Sequence, residues 1–164
     1  MNRMTALAIA AATVQAGSSA AATRTELDPH AVAAIESVAR DYVDGQLDGD
    51  VKRVAQALHP DLAKRAVARE TATARELFPL RRMSADELIA LTAQGVLKTP
   101  RAQWERSVRV LDIAGNAAVA RVETPWFVDF FHLGRFGERW LIVNALWWPK
   151  PAVAPTTSDR NPSP

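Results

Sequence analysis

The chain has 164 residues, 48% of them apolar and 23% charged, with a net charge of +2 and no cysteine. That length suits one domain with short tails, and the apolar share excludes a chain too polar to fold. A small, scattered positive excess makes no case for nucleic acid, while the missing thiols exclude disulfides, Cys-zinc sites and cysteine nucleophiles.

The opening residues read as a leader. Met1-Asn2-Arg3 is basic, 4–14 is Ala-rich and uncharged, and the small residues GSSAAA follow before the first acid, Glu26. This is the layout of a secretory signal, so residues 1–22 are expected to be removed after Ala20 or Ala22, leaving a periplasmic or secreted protein. The apolar run is too short to span a bilayer, and no membrane contact is expected once it is cleaved. The closing PAVAPTTSDRNPSP predicts a disordered tail over 151–164. A single folded domain is expected over 27–150.

Three helices follow from caps and periodicity. Asp28 as N-cap and Pro29 at the first helical position open the first, whose stripe is Val32, Ile35, Ala39 and Tyr42, with Gly45 as its stop. Asp50 opens the second, with Val51, Val54, Ala55 and Leu58 on one stripe and Pro60 beyond its end. Between 62 and 82 the pattern is less regular, and short apolar pieces at 66–68 and 77–80 predict a small hairpin. Ser84-x-x-Glu87 is a capping box for the third helix, which carries Leu88, Ile89, Leu91 and Thr92 and closes at Gly95.

Strands fill the rest. Trp104, Val108 and Val110 alternate with Glu105, Ser107 and Arg109, and Ala114-Gly115-Asn116 turns the chain. Ala118, Ala120 and Val122 then alternate with Arg121 and Glu123 before Pro125 interrupts. A third strand is expected over 127–133, a turn over 134–138 and a last strand over 139–147. That last strand is apolar on both faces apart from Asn144, so a second subunit is expected to cover its outer side. Helices on one face of four antiparallel strands define an α+β roll.

Several segments carry a resemblance: YVDGQLDGD after the first helix, ALHPDLAKR after the second, LDIAGNAAVARV at the central hairpin, and DFFHL with GERWLIVNALW at the end. Over 35–148 the chain resembles the nuclear transport factor 2-like superfamily, the fold of ketosteroid isomerases and polyketide cyclases, and within it the putative lumazine-binding family. The resemblance implies a cone-shaped roll of a curved antiparallel sheet packed on three helices, a pocket at its wide end, and often a homodimer. It does not imply an activity.

The candidate pocket residues are Tyr42, His59, Phe130, His132 and Trp147. Tyr42 lies on the core stripe of the first helix, where its hydroxyl needs a partner in the protein or in a ligand. In isomerases of this fold a first-helix tyrosine contributes to an oxyanion hole. Asp129 and His132 are three apart on one strand, so only one can face the pocket. His132 is expected inside with Val128 and Phe130, at about the level where isomerases of the fold carry a proton-donating carboxyl group. Asp129 is expected outside. His59 suits a cap for the second helix, with pocket lining as its other use. Trp147 and Trp148 face opposite ways, one toward the cavity and one toward an interface, with plain core packing as the alternative.

No close His/Glu/Asp spacing suggests a metal, no Gly-rich loop suggests a phosphate, and no cofactor is expected. The sequence therefore predicts a non-catalytic pocket for a small apolar or aromatic molecule. The other reading is a cofactor-independent isomerase, dehydratase or cyclase that uses the His132–Tyr42 pair.

Overall fold

The computed structural model describes residues 27–67 and 80–151; the expected leader over 1–22 and the tail beyond 151 lie outside the described residues. Helix α1, Pro29–Asp48, starts as its cap predicts: the Asp28 carboxylate accepts from the His30 backbone N–H. It does not stop at Gly45. About one more turn follows before Gly49, at φ 75°, closes it. Gly45 serves packing instead, because a Cβ there would sit 2.8 Å from Cγ2 of Val54 and 3.1 Å from the Val54 backbone nitrogen. The bare glycine lets α2, Val51–Ala57, lie directly on α1.

Asp50 caps α2 through the Arg53 N–H, and the helix ends earlier than its apolar stripe suggested. Val54 and Ala57 are buried and Ala55 is exposed. Leu58 already belongs to strand β1, Leu58–Ala66. His59 is therefore a strand residue and caps no helix. Its Nδ1 accepts the Asp61 backbone N–H at 3.1 Å, and its ring stacks on Phe136 with centroids 4.8 Å apart.

The expected hairpin pieces at 66–68 and 77–80 fall largely outside the described residues. What flanks them is a true antiparallel pair, β1 with β2, Arg81–Met83, in which Arg65 stands opposite Arg82. Ser84 then accepts from the Glu87 N–H to start α3, Ala85–Ala93, and Gly95 follows at φ 68°. Strands β3, Ser107–Ala114, and β4, Ala117–Glu123, form the central hairpin around Gly115. Strands β5, Phe127–Phe136, and β6, Arg139–Pro149, are longer than expected, and their turn shrinks to Gly137 and Glu138.

The sheet has six strands in the order β2-β1-β6-β5-β4-β3. The four C-terminal strands are antiparallel, but β1 joins the far side of β6 in parallel, with Lys64 opposite Ala145. The sheet is thus mixed rather than purely antiparallel, and β6 is central with both edges paired, while Leu146 and Trp148 on its outer face remain exposed. Ile35, Ala39, Val43 and Leu47 of α1 pack over Ala120, Val122, Leu133 and Ile142 of the sheet, all buried. Each fully buried Ile, Leu or Val contributes roughly 1.5–3 kcal/mol. Curled on three helices, the sheet makes the expected α+β cone.

Asp44, two residues past Tyr42, is 6% exposed. It accepts from Arg53 Nη2 of α2 at 3.3 Å and from Arg106 Nη2, just before β3, at 3.0 Å. Arg53 also reaches Asp41 at 2.7 Å. The YVDGQLDGD segment therefore fastens α1 to both α2 and the sheet edge. Gly45→Ala should cost about 1–3 kcal/mol through overpacking against Val54, despite alanine's better helix propensity; urea unfolding measures it.

Candidate functional site

The site begins with the alternation of β5. Phe127, Asp129, Phe131 and Leu133 face the helices, and Asp129 is completely buried. A lone carboxylate there would be costly without a charged partner. The partner comes from β1, where Leu62, Lys64 and Ala66 share the buried phase. On the intervening strand β6, Ala145 stands opposite Lys64 and Phe131, and Trp147 opposite Asp129.

Lys64 Nζ lies 2.8 Å from Asp129 Oδ2 and donates to the Tyr42 hydroxyl at 2.9 Å. Gln46, one turn after Tyr42 on α1, donates to the same hydroxyl from Nε2 at 3.2 Å. The Tyr42 ring meets Phe131 edge-on at 5.2 Å. The ammonium also stands 5.2, 5.8 and 5.5 Å from the ring centroids of Tyr42, Phe127 and Trp147. Three aromatic faces and two hydrogen bonds thus compensate the lost hydration of one cation.

Charge states follow from this burial. Burial pushes the Tyr42 phenol above its usual value of 10.0, so it stays protonated. Burial works against the Lys64 ammonium, but attraction to the Asp129 carboxylate and hydrogen bonds to Asp129 and Tyr42 outweigh it and raise its pKa. Burial raises the Asp129 carboxyl, and Lys64 pulls it back. Two buried acceptors are left without a partner, Gln46 Oε1 and Asp129 Oδ1.

Beside this cluster lies a cavity of about 140 Å³. Met83, Leu88, Leu91 and Val96 line it with Phe127 and Trp147, while Gln46 and Lys64 give its buried polar wall. Thr92 also lines it, but its hydroxyl is committed to the Leu88 carbonyl at 2.8 Å. Arg81, exposed on β2, is the other charged lining residue.

The structure places the five sequence candidates unequally. Trp147 is a cavity wall, and Tyr42 stands behind the wall, bonded to Lys64 and Gln46. His132 and Phe130 are on the opposite, outer face of the sheet, so the expected assignment of faces is reversed. Phe130 is 40% exposed, and His132 Nδ1 meets Asn144 Nδ2 at 3.2 Å, with Arg65 donating to the Asn144 oxygen. Tyr42 and His132 therefore cannot converge on one ligand atom. His59, beside Phe136, is not a cavity wall either.

The reversal has a cause in composition. Phe130 and Phe131 put an aromatic in each phase of β5, so hydrophobicity alone does not tell inside from outside. Sequence reasoning missed Lys64, Gln46 and Asp129 as a unit. The available signal was a lysine and an aspartate, each in an otherwise apolar phase of its strand. No group of acidic and histidine side chains suited to a metal occurs among the described residues.

The fold and this arrangement agree with what the chain is similar to. Residues 30–148 match the family model described as putative lumazine-binding, and the chain belongs to that family. No curated protein matches the sequence. Among solved structures, an NTF2-like protein of unknown function from Methylobacillus flagellatus is 20% identical, over 77% of this chain and 97% of that one, with a TM-score of 0.58. A similar protein of unknown function from Silicibacter pomeroyi is 18% identical over 72% and 94%, at 0.56. A ketosteroid isomerase-like protein from Erwinia carotovora is 14% identical over 76% and 100%, at 0.51. At such identities these structures establish the cone-shaped nuclear transport factor 2-like fold alone.

The buried pair makes a sharp mutational expectation. Lys64→Met or Asp129→Leu alone strands a charge and should cost about 3–5 kcal/mol, and the double variant should recover most of that loss in urea unfolding. Raised folded-state values at Tyr42 and Lys64 set the alkaline pH dependence. Their contribution is fully present below the unfolded values of 10.0 and 10.5, and is lost as pH rises through the folded ones. Thermal melts should show an alkaline decline beginning there, shallower in Tyr42→Phe.

Proposed function

We propose that the protein is an exported, homodimeric binding module whose cavity holds a small, largely apolar or aromatic molecule without transforming it. The observation that carries this reading is the cavity itself: apolar walls and two aromatic faces ending at a buried, already paired ammonium. Its volume is close to that of engineered protein cavities that take up benzene, about 150 Å³. Lumazine, the molecule in the family's description, is likewise a flat heteroaromatic.

Lys64 is poorly suited to act as a base or nucleophile. Its lone pair is held by a proton that Asp129 and Tyr42 stabilise, whereas a reactive lysine needs a depressed pKa. His132, expected as the catalytic companion of Tyr42, is on the other side of the sheet. Both features support binding without turnover.

Support for the dimer comes from that outer face. Trp126, Phe130, Leu146 and Trp148 are each at least 40% exposed. Phe130 faces Leu146 across the β5–β6 ladder, and Val128 faces Trp148. A continuous apolar patch of this kind suits a second copy burying about 800 Å² per subunit. Export rests on the basic, Ala-rich leader.

Native mass spectrometry of protein recovered from a periplasmic fraction tests the three parts together. The expected species is a dimer beginning just after Ala20 or Ala22 and carrying an extra small-molecule mass. Leu91→Trp, which fills the cavity, should lose the bound mass and keep the dimer, while Trp148→Asp should give monomer. A cytoplasmic, ligand-free monomer retaining Met1 would refute the reading.

A further inference from the structure

The cavity carries one charge that no described residue answers. Resting on the binding function proposed above, we infer that its occupant is an amphipathic monoanion. An apolar or aromatic body lies against Trp147, and a carboxylate at the mouth pairs with Arg81.

Strand register sets the direction of that arginine. Arg81 and Met83 stand opposite Ala66 and Lys64, which belong to the buried, inner phase of β1. Arg82 stands opposite Arg65, whose guanidinium bonds Asn144 on the outer face. Side chains alternate along a strand, so Arg81 takes the cavity side and Arg82 the other. Ala66 is in turn opposite Trp147 on β6. Arg81 and Trp147 therefore share one row across the sheet, with the Ala66 methyl between them and backbones about 10 Å apart.

Charge separates the two ends of the cavity. Lys64, its buried cation, is matched by Asp129 at 2.8 Å. Arg81 has neither an ion pair nor a hydrogen bond to a described residue. No other described lining residue is charged. An acid carried to the Lys64 end would lose its hydration and place a second buried anion near Asp129. Beside Arg81 it stays in contact with water and meets a planar guanidinium whose N–H fork matches both carboxylate oxygens. The other exposed lining residues are apolar, Val96 at 59% and Leu97 at 36%. Exposed apolar side chains and one unanswered cation around the same opening suit a molecule with both characters.

Calorimetric titration of the protein with phenylacetate, phenylacetamide and toluene tests this. The acid and the amide share one shape and differ in charge. The acid is expected to bind about fivefold more tightly than the amide in low salt, with the ratio falling as salt rises. Arg81→Gln should bring that ratio close to one, whereas Arg82→Gln, on the outer face, should leave it unchanged. An acid that binds no better than the amide overturns the inference. So does a ratio that survives Arg81→Gln, or one that falls equally in Arg82→Gln. If toluene binds and the acid gains nothing over the amide, the cavity is a binding site and only the anionic preference fails. If none of the three binds, the binding function fails with it.

Discussion

A lysine and an aspartate 65 residues apart meet at 2.8 Å in the buried interior, and the surrounding structure is arranged to permit it. Neither group could be there alone. Asp129 is tolerated on the inner face of β5 because Lys64 reaches it from β1, across β6, where Ala145 stands opposite Lys64 and Trp147 opposite Asp129. Tyr42 adds α1 to the same cluster. One polar knot therefore fixes the relative position of the long helix and three strands. The desolvation involved is offset by the ion pair itself and by the hydrogen bonds and rings that surround it.

Much of the architecture was legible because its signals are local. Asp28, Asp50 and Ser84 cap their helices as their residue types require, and the alternation of Ala118, Ala120 and Val122 oriented β4 correctly. Gly45 was misread because a glycine near a helix end resembles a stop, and its actual role depends on Val54, which no local pattern shows. The parallel union of β1 with β6 was hidden for the same reason. Strand pairing across the length of a domain leaves no periodic mark in either partner.

The site was less legible than the fold, and β5 shows why. Face assignment from sequence relies on contrast between apolar and polar phases. In 127–133 one phase carries Phe127, Asp129 and Phe131, and the other Val128, Phe130 and His132. The polar residue in each phase invited a chemical choice between an acid and an imidazole. Burial had the deciding vote, and it depended on a cation supplied by another strand. Alternation showed that Trp147 and Trp148 face apart but not which of them faces inward; burial gives that role to Trp147, while Trp148 is 42% exposed.

The junction of β1 with β6 also has a consequence in time. Lys64 and Ala145 are neighbours in space, so most of the domain's length must be present before they can meet. Closing so large a loop is slow compared with forming helices or the β3–β4 hairpin. Until β6 arrives, β1 and β5 both present open edges, and Asp129 and Lys64 lack each other. The domain is therefore assembled last at its centre. A chain emerging amino-terminus first, from a ribosome or through a membrane, holds its helices early but acquires its interior only when the final strand is delivered.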